Sequence, residues 1–171
     1  MIRPILVLPD PRLRKPSAAV ARVGKELRAL VEDMFETMYD APGVGLAAVQ
    51  IGVQKRVIVA DPTRGDEEKQ PIAMINPELV WASEEQATVE EGCLSIPEVT
   101  DEVERPERVR VRYLDLHGEA REVEAEGLFA RVLQHEIDHT NGVLFIDHLS
   151  RLKRGRIVKK FAKAAKREAA G

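Results

Sequence analysis

Residues 135–139 read His135-Glu136-Ile137-Asp138-His139, an H-E-x-x-H pattern set in a stretch spaced for a helix. Four residues advance an α-helix by about 400°, so His135 and His139 stack on one face, a turn apart. Glu136 stands about 100° further round. Two neutral imidazoles so placed can hold one metal ion, and the carboxylate beside them can act as general base on a water at that ion. Leu128, Phe129, Val132 and Leu133 lead into the motif, Ile137 continues its apolar side, and Asn141-Gly142 supplies a stop. A buried helix whose polar groups merely cap or pair is the alternative, and for a lone histidine it would be preferred. The complete motif on an apolar helix favours the metal.

Two imidazoles need a third ligand. Some zinc peptidases extend the pattern to H-E-x-x-H-x-x-G-x-x-H; Gly142 fits, but the last position is Phe145, which cannot ligate. The remaining candidates are His117, in the turn Leu116-His117-Gly118, His148, beyond the helix stop, and Cys93. A lone cysteine is ordinarily a small buried hydrophobe. Two His and one Cys, with water in the fourth place, is nevertheless an established catalytic set, which makes Cys93 the strongest of the three.

A chain of 171 residues favours one domain, 1–171, with about 70% of its unfolded surface buried. With a single cysteine no internal disulfide forms, which suits a reducing compartment. The proline-rich start lacks the apolar core of a signal peptide, and no apolar run approaches the ~20 residues of a membrane span. A cytoplasmic protein is expected. Charge is uneven: nine Lys or Arg against one acid over 151–171 give +8, leaving −11 elsewhere for a net −3.

Residues 25–39 form a helix by period, with Leu27, Leu30, Val31, Met34, Phe35 and Met38 at three- and four-residue steps. Gly43 and Gly45 leave bare backbone, either a tight packing corner or a place for another chain to approach. Short strands are expected at 56–60, 72–75 and 79–81, the last two divided by Asn76-Pro77, and a strand end near Pro97. Alternation at Val109, Val111 and Tyr113, a turn at His117-Gly118 and a second alternating run around Val123 predict a hairpin. A last helix over 153–168 carries a narrow stripe of Ile157, Phe161, Ala164 and Ala165 and is otherwise basic. The expected class is α+β, with small mixed or antiparallel sheets packed around the central metal-binding helix, flanked by N-terminal and C-terminal helices.

Three segments stand together: Gly43-Val44-Gly45-Leu46-Ala47-Ala48-Val49-Gln50, Glu91-Gly92-Cys93-Leu94-Ser95 and His135-Glu136-Ile137-Asp138-His139. In this order and at these separations the chain resembles the peptide deformylase family nearly end to end, in its bacterial subtype that finishes in a helix. The resemblance implies hydrolysis of the N-formyl group from the formyl-methionine end of new proteins, releasing formate. It implies Cys93, His135 and His139 as ligands of one divalent ion, ferrous iron in most members, with nickel, cobalt or zinc as substitutes. By the same analogy Glu136 moves the proton, and the Gln50 side chain with the Leu94 backbone N–H stabilises the oxyanion.

Substrate contacts are expected from the backbone of Gly43 and Gly45, from a methionine pocket of Leu128, Val132, Ile51 and Ile96, and from Arg105. Asp138 and Glu91 are expected to orient the site. The basic C-terminal helix suggests a contact with ribosomal RNA through its phosphates. A monomer is expected. The rival readings are an H-E-x-x-H zinc peptidase and a catalytically inactive ribosome- or RNA-binding protein.

Overall fold

A computed structural model describes residues 1–171. The periodic stretch after Gly24 is helix α1 (Lys25–Asp40), whose buried side chains are Leu27, Leu30, Val31, Met34, Thr37 and Met38. The chain then enters β1 (Gly45–Ala47), a 3-10 turn over Ala48–Ile51 and β2 (Val57–Ala60). Next come β3 (Ile72–Ala82), β4 (Gln86–Cys93), β5 (Ile96–Pro106), β6 (Arg108–Leu114) and β7 (Ala120–Glu126). Helix α2 (Gly127–Thr140) carries the H-E-x-x-H motif, and α3 (Arg151–Ala170) ends the chain. No helix is long and apolar enough to cross a membrane.

Strands β1-β2-β3-β6-β7 form one antiparallel sheet in that spatial order, and β4-β5 form a separate two-stranded sheet. The all-apolar run of β2 has a simple cause. Val57 and Val59 pack with the α1 side chains, whereas Ile58 and Ala60 pack with Val132, Leu133 and Ile137 of α2. The sheet is thus covered on both faces at β2, and a strand buried on both faces loses the polar alternation that β6, with one open face, keeps. A third apolar cluster joins Leu8, Leu13, Ile96, Val103, Leu144, Phe145, Ile146 and Phe161, tying the N-terminal segment and α3 to the β4-β5 hairpin. Helix α2 therefore sits centrally, as expected.

Two local expectations change. Residues 72–75 and 79–81 belong to one strand, because Asn76 takes up the irregularity with φ 52 and a register shift. Its side chain bonds both backbone groups of Val20, at 2.7 and 2.9 Å. The chain near Pro97 is not a strand end: β4 stops at Cys93, and Ile96 opens β5 after the two-residue turn Leu94-Ser95. Helix α2 stops where the sequence predicts, with Gly142 at φ 75 and packed so closely on the Arg14 carbonyl that a Cβ there would collide. Helix α3 runs two residues beyond each predicted end, with Ser150 as N-cap accepting from the Lys153 N–H and only Phe161 buried.

Candidate active site

Four elements converge on one point. Helix α2 supplies His135, Glu136 and His139; β4 ends there on Cys93; the hairpin turn supplies Leu94; and the 3-10 turn after β1 supplies Gln50. One side-chain atom from each of Cys93, His135 and His139 lies within 4.8 Å of the others. Cys93 Sγ stands 3.4 Å from His139 Nε2. Bonds of about 2.3 Å to sulfur and 2.0–2.1 Å to nitrogen in a tetrahedral set place two such ligands about 3.5 Å apart. The donor set and its spacing therefore fit a single divalent ion.

His135 is aimed by Glu91, whose Oε1 lies 2.7 Å from Nδ1, leaving Nε2 as the ligand atom. Glu91 is itself held by Arg105, through Nε and Nη2 at 2.8 Å each, and by Arg131 Nη1 at 2.6 Å. Burial pushes the Glu91 carboxyl up, but the bonds from Arg105 and His135 outweigh it and hold the group well below the usual carboxylate range. Asp138 accepts from Arg105 Nη1 at 2.9 Å and pairs with His148 Nε2 at 2.8 Å. The partners of Glu91 and Asp138, which sequence could not assign, are thus two arginines and two histidines. His148 serves as a structural partner, and His117 stands exposed in its turn.

Glu136 is 4% exposed, and its Oε1 has no hydrogen-bond partner. Burial pushes its carboxyl up to about 7, against the nearby His135. The close approach needs Gly45: a Cβ there would come within 2.6 Å of Glu136 Oε2 and 2.8 Å of Val132 Cγ1. Gln50 is fixed at both ends of its amide. Oε1 accepts from the Ala47 N–H at 2.9 Å, and Nε2 donates to Ser95 Oγ at 3.0 Å. The second N–H of Nε2 is directed at Cys93 Sγ, 3.7 Å away, on the metal-site side.

A cavity of about 760 Å³ opens onto this cluster. Gly43, Gly45, Gln50, Leu94, Leu128 and Val132 line it, as the sequence reading expects. Three expectations are corrected. Ile51 faces α1 in the core beneath the sheet, and Ile96, 0% exposed, packs with Leu13 and Phe145 behind the hairpin. Arg105 is 4% exposed and spent on Glu91 and Asp138, so it has no free charge for a substrate. Sequence reasoning missed Arg131, Ser95, Val44 and Val89. Arg131 alone carried a signal, one turn before His135 on the same face.

Residues 2–155 match the family described as polypeptide deformylase. A peptide deformylase of Methylocella silvestris is 63% identical over 171 residues, covering 98% of this chain and 87% of its own. Another, of Phenylobacterium zucineum, is 62% identical over 165 residues, covering 96% and 98%. The crystal structure of peptide deformylase from Ehrlichia chaffeensis superposes with a TM-score of 0.91 at 40% identity, covering 99% of each chain. The same organism's enzyme in complex with actinonin gives 0.90 at 43% identity, over 95% of this chain and 97% of that one. With its motifs, fold and site geometry in agreement, the chain belongs to the polypeptide deformylase family.

Proposed function

We propose that residues 1–171 act as one catalytic domain that hydrolyses the N-formyl group of formyl-methionine at the start of new proteins, releasing formate and a free amine. The observation that carries this reading is the unpartnered, buried Glu136 carboxylate beside the Cys93, His135 and His139 cluster at the head of an apolar-walled cleft. Those three residues would hold one divalent ion, ferrous iron by family habit with zinc, nickel or cobalt as substitutes, and when bound it would supply Lewis acidity and make water ionise nearer neutral pH.

The chain's own groups do the rest. Gly43 and Gly45 offer backbone to an extended peptide along the outer edge of β1, which lies at the border of its sheet. Leu128, Val132, Val44 and Val89 take the methionine side chain, whose burial contributes roughly 1.5–3 kcal/mol. Gln50 Nε2 and the Leu94 N–H, which has no turn or side-chain acceptor, donate to the formyl oxygen as charge grows there. Because Ala47 and Ser95 already hold the Gln50 amide, that donor needs no reorganisation at the moment of reaction. Glu136 takes the proton of the attacking water and returns it to the leaving nitrogen.

Metal-loaded protein is expected to release formate from a formyl-methionyl peptide in step with new free amino termini, and to leave unformylated peptides whole. Internal cleavage of the latter would favour the peptidase reading, and formate-free incubation with full metal content the inactive one. Helix α3 buries only Phe161, and its lysines and arginines are exposed apart from the half-buried Arg154, with Leu152 and Val158 exposed among them. We assign it to ribosomal RNA phosphates, in a cytoplasmic setting that matches the single free thiol. Deleting residues 153–171 is expected to abolish salt-sensitive co-sedimentation with ribosomes; unchanged co-sedimentation ends that assignment.

A further inference from the structure

The two oxyanion donors come from parts of the fold that share no ladder. Gln50 sits in the 3-10 turn after β1, on the five-stranded sheet, and Leu94 sits in the turn of the separate β4-β5 hairpin. No backbone hydrogen bond joins those two turns directly. The N-terminal segment joins them instead. The Leu6 N–H donates to the Gln50 carbonyl at 2.7 Å, and the Leu8 N–H donates to the Ser95 carbonyl at 2.9 Å. Alternate residues of an extended chain present their N–H groups on one edge, and the intervening Val7 N–H donates to no backbone carbonyl.

The segment is anchored on both sides of the seam. Leu6 and Leu8 pack with Ile96 and Phe145 behind the hairpin, and Ile5 packs with the cluster of α1 and Ile51. Across the same seam Gln50 Nε2 meets Ser95 Oγ at 3.0 Å, so the bonded groups close a ring through Leu6, Gln50, Ser95 and Leu8. We infer that residues 5–8 are a positioning strap for the oxyanion site, with Leu6 setting Gln50 and Leu8 setting the Leu94-Ser95 turn. Neither leucine lines the cleft. What they fix is the separation between a side-chain amide on one sheet and a backbone N–H on the other. Two donors can serve one oxygen only while that separation holds. This rests on the deformylase reading of the cleft.

The test removes single N–H groups and keeps every side chain. Stop-codon suppression places the α-hydroxy analogue of leucine at position 6 or at position 8, turning the amide N–H into an ester oxygen. The α-hydroxy analogue of valine at position 7 is the control, because that N–H holds no carbonyl. Metal-loaded proteins are compared for kcat and KM on a formyl-methionyl peptide, with metal content and melting measured alongside. The esters at 6 and 8 are each expected to lower kcat roughly 10–100-fold, with KM within about twofold and full metal content. The control is expected to match wild type. Added to Gln50→Ala, the ester at 6 is expected to cost less than about twofold, because the donor it positions is already gone.

Esters that melt earlier yet keep the wild-type kcat overturn the inference and leave the segment a tether. So does a full loss of kcat from the ester at 6 in the Gln50→Ala background. Should the esters not fold, amide hydrogen exchange in metal-loaded wild type decides. Slow exchange at Leu6 and Leu8 beside fast exchange at Val7 is expected, and fast exchange at either leucine overturns the strap. A wild type inactive on the formyl-methionyl peptide overturns the functional reading, and this inference with it, a result distinct from full activity in the esters.

Discussion

Glu136→Gln is expected to lower kcat by roughly 10²–10⁴-fold while leaving fold, metal content and KM close to wild type. Glutamine has the same shape, so the fit against Gly45 and Val132 survives. What is lost is the ability to accept a proton from water and return it to the leaving nitrogen. No other group can take over. Glu91 is occupied by two arginines and His135, and Asp138 by Arg105 and His148. Formate release alongside metal analysis of both proteins is the check, and equal rates at equal metal content would remove Glu136 from the mechanism.

The same substitution has a pH signature in the metal-free protein. Burial raises the Glu136 carboxyl from 4.5 to about 7. Between those values the native state binds more protons than the unfolded one, so this group's contribution to stability is complete below 4.5 and lost as pH rises through about 7. Metal-free Glu136→Gln should lack that decline, which thermal unfolding against pH would show. A wild type and variant with parallel profiles would mean that Glu136 does not titrate there.

The metal helix was legible because its signal is local. Spacing alone puts His135 and His139 on one face, and the apolar residues around them fix which side is buried. Cys93 was legible only by pairing an unfilled need on the helix with a single thiol; nothing in its own neighbourhood says that β4 ends against α2. The misplacements share a cause. Ile51 and Ile96 are apolar residues beside motif positions, but a 3-10 turn and a two-residue hairpin turn each redirect neighbouring side chains. Gln50 and Leu94 reach the cleft while Ile51 and Ile96 point into two different cores.

Arg105 misled for another reason. Strand alternation tells which face a residue is on, and a charge is assigned to water by default. Here the inward face of the hairpin carries a buried ion network, and burial of an arginine is legible only once its carboxylate partners are placed in space. The separate β4-β5 sheet was hidden likewise, since β5 carries acids at exposed positions and offers no apolar run to read.

Glu91→Ala is expected to be the most destabilising single change in the site, by about 3–5 kcal/mol, and to weaken metal binding roughly 10–100-fold. Glu91 is 7% exposed and takes bonds from Arg105, Arg131 and His135 together. Removing it leaves two buried guanidiniums around a cavity, one of them still paired to Asp138 and the other holding only backbone carbonyls. It also frees the His135 ring to turn, which separates the two effects: melting reports the stranded charges, and metal titration reports the lost aim of the imidazole. The carboxyl is held well below 4.5 in the native state, so the unfolded chain takes up its proton first. The stability Glu91 contributes is therefore present above 4.5 and shed as pH falls below it, an acid sensitivity that Glu91→Ala should lack. A variant that melts with wild type at neutral pH would mean that Arg105 and Arg131 are solvated or re-paired once the carboxylate is gone, and that the hairpin is held to α2 by its apolar contacts alone.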